Sequence, residues 1–228
     1  QRVELVVSPA LLGELSAVIA HEIRNPLSGV GISAQALSRA LHPGDFHESN
    51  LKNILKGIRK VDDVIKGLLD FATPKEPVLA PVSVNRVLEE ALFISAPQAQ
   101  EGQISLEKSL GKALPLVLLD QEQIKRVFIN IILNALQAMQ PGGILRLRTA
   151  RSPGGRVLAR ITDTGTGIPP AILKRIFDPF FTTKSQGAGL GLSISRTILE
   201  KHHATIACDS QEGKGTTFTL LFRGRPER

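Results

Sequence analysis

Three observations predict an α+β chain in two parts. Apolar residues recur at helical spacing through residues 1–73, prolines stand at 74, 77 and 81, and strand-like and helix-like runs alternate from about residue 82. The predicted fold is an N-terminal antiparallel helical hairpin over 1–73, a linker over 74–82, and an α/β sandwich over 83–228 with a mixed, mostly antiparallel sheet.

The first helix places apolar or small residues at 12, 15, 19, 23, 27, 30, 34, 37 and 41, a mean step of about 3.6, the α-helical period. The second places Leu51, Ile54, Ile58, Val61, Ile65, Leu68 and Ala72 in alternating steps of three and four, the seam of a supercoiled bundle. His42-Pro43-Gly44-Asp45 supplies the turn between them. Two helices enclose little core, so the hairpin is expected to pair with a second copy as a four-helix bundle. In the second part, Ser83 can cap a helix running to about 100 and strained at Pro97. Further helices are expected near 120–140, 169–176 and 190–202. Strands are expected near 103–108, 143–150, 156–163, 204–209 and 216–222, with Ser152-Pro153-Gly154-Gly155 as a hairpin turn.

Composition narrows the function. The 228 residues hold one Cys, which excludes a disulfide framework and a Cys-rich zinc site. Cys208, without a partner, suits a reducing compartment and reads as a small buried apolar residue. The net charge of +7 permits an acidic partner or a nucleotide, but no nucleic-acid-binding motif is present and Trp and Tyr are absent. The longest uncharged run, between Arg126 and Arg146, holds too many amides for lipid. No membrane contact is expected of this segment. Met139 is the single Met, so the chain reads as a cytoplasmic fragment of a protein whose membrane anchoring stays open.

Several segments carry chemistry. In His21-Glu22-Ile23-Arg24-Asn25-Pro26-Leu27, His21 lies about 200° around the helix from Ile19 and from Ile23, on the outer face. Pro26 removes the N–H that would bond the Glu22 carbonyl, so the helix is loosened beside the imidazole. Glu22 can orient that ring and take its proton. Asn130, Asn134 and Gln137 form an amide stripe on an otherwise apolar helix, and amide oxygens suit Mg²⁺. Two glycine clusters, Asp163-Thr-Gly165-Thr-Gly167 and Gly187-Ala-Gly189-Leu190-Gly191, can bring backbone N–H groups close to phosphates. Neither is a P-loop nor a dinucleotide fingerprint. Between them, Phe177-Asp178-Pro179-Phe180-Phe181-Thr182-Thr183-Lys184 reads as an apolar anchor leading into a lid. Taken singly, each segment also admits a plain reading: a solvated His, a buried Asn, a turn.

In this order, the segments strongly resemble the catalytic core of a two-component sensor histidine kinase, closest to the nitrogen-regulatory subset. His21 to Leu27 is similar to the H box and Asn130 to Ala135 to the N box. Asp163 to Gly167 and Gly187 to Gly191 resemble the glycine boxes, and Phe177 to Phe181 the F box. Gly213-Lys-Gly215-Thr216-Thr217-Phe218 is similar to the family's closing strand. The resemblance implies a dimerisation and phosphoacceptor domain followed by an ATP-binding domain of the gyrase, Hsp90, kinase and MutL type, with ATP and Mg²⁺ as cofactors. It implies His21 as the phosphorylated nucleophile, Glu22 as its proton acceptor, and Asn25 beside a response-regulator aspartate, where a phosphatase activity would also depend on it. Asn134 would ligate the metal, with Asn130 close to metal and phosphates. Asp163 would accept from the adenine amino group, and Gly165 and Gly167 would let the backbone pass close to the nucleotide. Gly187, Gly189, Leu190 and Gly191 would shape the phosphate lid. Thr217, with Thr216 as the other candidate, would support the adenine site. Gln137 stands where many members carry Lys, and Lys184 would supply that phosphate contact. Asn130 stands where the ATP-hydrolysing relatives use a catalytic Glu; an amide cannot act as a general base, which fits transfer to His rather than to water. The implied partners are a second copy of the chain and the receiver domain of a response regulator. The alternative from another class is a non-catalytic dimeric scaffold that binds nucleotide.

Overall fold

The computed structural model describes residues 23, 27–35, 37, 50–51, 53–58, 61–62, 65, 76–139, 141–184 and 189–223. The chain divides into two compact units, one of residues 1–75 with 184–190 and one of residues 76–183 with 191–228. Among the described residues, no helix is long and apolar enough to cross a membrane.

In the first unit, residues 27–35 and 53–58 are helical. Its apolar stripe splits by exposure. Ala34, Leu51 and Ile65 are buried, whereas Ile23, Val30, Leu37, Ile54 and Val61 are exposed. The exposed positions 23, 30 and 37 are seven apart, as are 54 and 61. One seam of the hairpin therefore closes within the chain, and a second heptad seam remains open to solvent.

The second unit is a two-layer α/β sandwich. A two-stranded sheet pairs β1 (Ala80–Val82) antiparallel with β3 (Val117–Leu119). The main sheet runs in the order β2-β4-β5-β7-β6, from β2 (Ser105–Ser109), β4 (Ile144–Ser152), β5 (Arg156–Asp163), β7 (Gly215–Phe222) and β6 (Thr205–Gln211). Its β2–β4 pairing is parallel and the others are antiparallel, the expected mixed sheet. The helices are α1 (Val84–Glu101), α2 (Gln121–Ala138), the short α3 (Pro170–Leu173) and α4 (Gly191–Lys201).

Strand alternation sorts the two faces. Val157, Ala159, Ile161 and Asp163 of β5 are buried, as are Thr216, Phe218, Leu220 and Phe222 of β7. Against this face α2 lays Ile124, Val127, Phe128, Ile131 and Ile132, each 0% exposed. The Phe128 and Phe222 rings meet edge to face with centroids 6.1 Å apart. Full burial of one such ring contributes about 1.5–3 kcal/mol. The amide stripe of α2 occupies the border of this apolar face.

The local signals largely behave as expected. Ser83 caps α1 through a bond from the Arg86 N–H, and the helix runs through Pro97 to Glu101. Pro153–Gly155 forms a 3₁₀ turn between β4 and β5, with Gly154 and Gly155 at φ 75° and 70°. The linker is different: Ala80–Val82, expected as part of it, is strand β1. Pro81 is tolerated because β1 pairs on one side only.

Two polar groups tie the start of α2 to distant segments. Asp120 caps α2 by accepting from the Gln123 N–H at 3.0 Å, and its other oxygen accepts from the Val78 N–H at 3.0 Å. The ring of His202, 3% exposed, accepts from the Asp120 N–H through Nε2 at 3.0 Å, while Nδ1 lies 2.7 Å from the Ile198 carbonyl. Since a carbonyl only accepts, Nδ1 carries the proton and the imidazole is neutral. Partial burial pushes the Asp120 carboxyl upward. The Gln123, Val78 and Glu122 backbone N–H groups outweigh this and hold it below the usual carboxylate range. A depressed pKa gives stability that is present above the unfolded value and lost as pH falls through the folded one. Asp120→Ala is therefore expected to lower unfolding stability by about 1–2 kcal/mol at neutral pH. Its difference from the parent should shrink in acid. Urea denaturation at several pH values measures both.

Candidate nucleotide-binding site

The glycine-rich segments and the amide stripe converge at one end of the main sheet, where β5 and β6 end and β7 begins. Asp163, the last residue of β5, is 3% exposed. Its Oδ1 accepts from the Gly165 N–H at 2.9 Å and the Thr216 N–H at 3.2 Å. Both of these bonds fall on Oδ1. Burial pushes the Asp163 carboxyl up, against the opposing pull of these backbone donors.

Three glycines here answer to close packing of backbone on backbone. A Cβ on Gly165 would stand 2.5 Å from the Ala138 carbonyl oxygen at the end of α2, the same carbonyl that accepts from the Thr166 N–H. A Cβ on Gly167, φ 68°, would collide with the Gln211 carbonyl, and one on Gly215, φ 108°, with the Asp163 carbonyl. The Gly213 N–H donates to the Thr166 carbonyl at 2.7 Å. Ser210 completes the seam: its hydroxyl accepts from the Ile168 N–H at 2.8 Å, donates to the Gly215 carbonyl at 3.0 Å and lies 2.9 Å from Thr216 Oγ1. The loop after β5 is thus stitched to α2 on one side and to the β6–β7 hairpin on the other.

Asn130 and Asn134 occupy one half-buried face of α2, as their spacing predicts, while Gln137 is exposed. Asn130 Nδ2 donates to Ser195 Oγ on α4 at 2.9 Å, and Asn134 Nδ2 donates to Asn130 Oδ1 at a long 3.4 Å. Gly191, the first residue of α4, abuts the Asn130 amide so closely that a Cβ there would collide with Oδ1. Gly189 has a different reason to be glycine, a positive φ of 68°. Leu190 is 2% exposed and Lys184 is exposed.

Thr217 lies on the sheet face opposite Asp163, with its hydroxyl 3.0 Å from that of Thr162. Thr216 is buried on the Asp163 side. Alternation with Phe218, Leu220 and Phe222 carries that signal. The phenylalanines of the apolar anchor are half-buried or exposed. Phe180 is 56% exposed at φ 63°. Arg196 lies over the Phe177 ring at 5.9 Å and Arg175 over the Phe181 ring at 4.5 Å. His21, Glu22, Asn25 and Gly187 lie outside the described residues. Ser195 and Ser210 were not expected, because their partners are 65 and 42 positions away. Cys208 is half-buried, and burial, with Asp209 and Asp163 nearby, pushes its thiol up to about 12, which disfavours the thiolate. The open groove on α1 between Arg86, Phe93, Ile94 and Lys125 shares no residue with this cluster.

The donor set fits a magnesium nucleotide. Among the described residues no three His, Cys, Asp or Glu side chains converge as a metal site. The amides of Asn130 and Asn134 bring oxygen atoms to this face of α2, and oxygen donors suit a hard cation that keeps several waters. A buried carboxylate calls for hydrogen-bond donors, and an aromatic amine is one.

Comparisons with known proteins agree with this geometry. Residues 11–77 match the family described as "His Kinase A (phospho-acceptor) domain", and residues 119–226 match "Histidine kinase-, DNA gyrase B-, and HSP90-like ATPase". The chain is 37% identical over 218 residues to the signal transduction histidine-protein kinase AtoS of Escherichia coli K12, covering 96% of this chain and 36% of that one. It is 37% identical over 211 residues to the sensor histidine kinase ZraS of the same strain, covering 92% and 45%. Among solved structures, full-length ShkA in complex with AMPPNP superposes with a TM-score of 0.80 at 26% identity, covering 95% of this chain and 48% of that one. ThkA in complex with the response regulator protein TrrA gives 0.70 at 25% identity, covering 96% and 63%. The chain belongs to the sensor histidine kinases, with a phospho-acceptor domain followed by an ATPase-type domain. It spans less than half the length of these curated relatives.

The glycine geometry predicts a large single-site effect. Gly215→Ala combines a left-handed φ with a backbone collision, so it should lower unfolding stability by at least about 2 kcal/mol. Gly213→Ala also has a positive φ but meets no atom within 4 Å, and should cost less. Chemical denaturation of the two variants measures the difference.

Proposed function

We propose that this chain is the kinase core of a two-component sensor: it transfers the γ-phosphoryl group of ATP to His21, and from there to an aspartate of a response regulator. The observation that carries the reading is the Asp163 site, a buried carboxylate held through one oxygen by backbone donors and flanked by glycines, in a chain that also bears a phospho-acceptor domain. The non-catalytic scaffold shares this pocket and differs only in what becomes of His21.

Asp163 Oδ2 would accept from the adenine amino group, with Thr216 beside it in place of Thr217. Gly165 and Gly167, which let the loop pack against the Ala138 and Gln211 backbones, would hold that loop close to the nucleotide. Asn134, with Asn130 close by, would hold Mg²⁺, which when bound neutralises charge on the triphosphate. Gly187, Gly189, Leu190 and Gly191 would form the lid, with Lys184 contacting phosphate. His21 would attack the γ-phosphorus in line through one ring nitrogen. A P–N bond forms, the bond from γ-phosphorus to the bridging oxygen breaks, and ADP leaves with that electron pair. Glu22 would take the proton from the other ring nitrogen. The phosphohistidine would then pass its phosphoryl group to the regulator carboxylate beside Asn25.

A homodimer is supported by the open heptad seam, Ile23, Val30 and Leu37 with Ile54 and Val61, which a second hairpin would cover in a four-helix bundle. The domain limits proposed on this reading are 1–73 for dimerisation and phosphoacceptance and 83–228 for ATP binding.

Incubation with ATP labelled at the γ-phosphate and Mg²⁺ should give an acid-labile, alkali-stable label that His21→Ala abolishes. Retention of label in that variant would refute the assignment of the acceptor, and nucleotide binding without label would favour the scaffold. Asp163 must be ionised to accept from an amine, and its carboxyl is raised. Nucleotide affinity should therefore begin to fall at a pH above the ordinary carboxylate range as pH is lowered. Asp163→Asn should weaken binding about 10–100-fold at neutral pH, equivalent to about 1.4–2.8 kcal/mol, and flatten that pH dependence. Calorimetric titration with ADP across pH tests both.

A further inference from the structure

The amides of α2 end in a directed hydrogen-bond chain. Asn134 Nδ2 donates to Asn130 Oδ1, Asn130 Nδ2 donates to Ser195 Oγ, and the Ser195 hydroxyl donates to the Gly191 carbonyl at 2.9 Å. The polarity of this chain is set by chemistry. A carbonyl oxygen only accepts, so the single Ser195 proton goes to Gly191. Ser195 then offers Asn130 only lone pairs, and it must be met by an N–H. Ser195 is 2% exposed, so water does not readily replace either bond.

An asparagine amide has nearly the same shape in its two flipped orientations, and steric packing alone selects weakly between them. At Asn130 the choice decides whether an acceptor or a donor faces Asn134 and the start of α4. Flipping the amide would set its oxygen against the Ser195 oxygen with no proton between them, unless Ser195 gave up the Gly191 carbonyl. Either outcome leaves a buried polar group unpaired. Gly191 contributes as well, since it alone leaves room for the amide to lie flat against the helix start.

We infer that Ser195 is a positioning residue: it holds the Asn130 amide with its oxygen turned toward Asn134, and so sets the acceptor face that the metal–phosphate end of a nucleotide meets. The inference rests on the function proposed above and adds to it a residue on α4 that touches no ligand. It also gives that residue a directional task. Removing the hydroxyl should disturb the metal–phosphate end of the site and spare the adenine end around Asp163, which belongs to a separate hydrogen-bonded cluster.

The test is calorimetric titration of the wild-type chain, Ser195→Ala and Ser195→Thr with Mg²⁺–AMPPNP and with adenosine, together with their thermal midpoints. Ser195→Ala should weaken Mg²⁺–AMPPNP about 3–10-fold and lower the thermal midpoint by a few degrees, while adenosine affinity stays at the wild-type value. Ser195→Thr, which keeps the hydroxyl, should restore the affinity. Unchanged Mg²⁺–AMPPNP affinity in Ser195→Ala would overturn the inference. So would an equal loss of adenosine affinity, the mark of a purely structural role. A wild-type chain that binds AMPPNP no better with Mg²⁺ than without it would overturn the functional reading, and this inference with it.

Discussion

The carboxylate of Asp163 sits where chain segments far apart in sequence must agree. One oxygen is held by the backbone of the loop that follows it and by the backbone of β7, more than fifty residues later. Such a group is expensive to bury unless its partners are in place beforehand. The surrounding backbone supplies them at close quarters. The end of α2 meets the loop at Gly165, the β6–β7 hairpin meets it at Gly167, and β7 meets β5 at Gly215. Each approach is possible only without a Cβ. The glycines are therefore the condition on which a buried acceptor can exist at this sheet end, and the core beneath it, with Phe128 against Phe222, provides the rigid floor.

The opposite side of the site is organised by side chains. Asn130, Asn134 and Ser195 form a polar strip between α2 and α4. The two helices are also joined at their other ends, where His202, just past α4, takes the N–H of the residue that caps α2. The strip and the imidazole bracket a packed apolar interface, so the relative position of Asn130 and Gly191 follows from the helices rather than from the loops around them.

Much of this was legible in the residues because it is local. The helices of the second unit follow from apolar spacing and from caps such as Ser83, and the long strands follow from alternation. The short strands β1 and β3 escaped because three residues carry no periodicity, and Pro81 argues against a strand until its edge position is known. The parallel β2–β4 pairing depends on a partner nearly forty positions away. At the site, ordered motifs located Asp163, Asn130 and the glycines. Thr217 was preferred over Thr216 because adjacent threonines look alike until the buried alternation of Phe218, Leu220 and Phe222 assigns them to faces. Ser195 had no local signal, since its meaning lies in an amide 65 positions earlier.

The contact between Gly191 and Asn130 has an evolutionary consequence. The two positions cannot drift independently. An added Cβ at 191 takes the space of the Asn130 amide, which must turn away to admit it. Their substitutions should be epistatic: a side chain at 191 is costly beside the present amide and mild once a smaller residue stands at 130, so the order in which the two positions change matters.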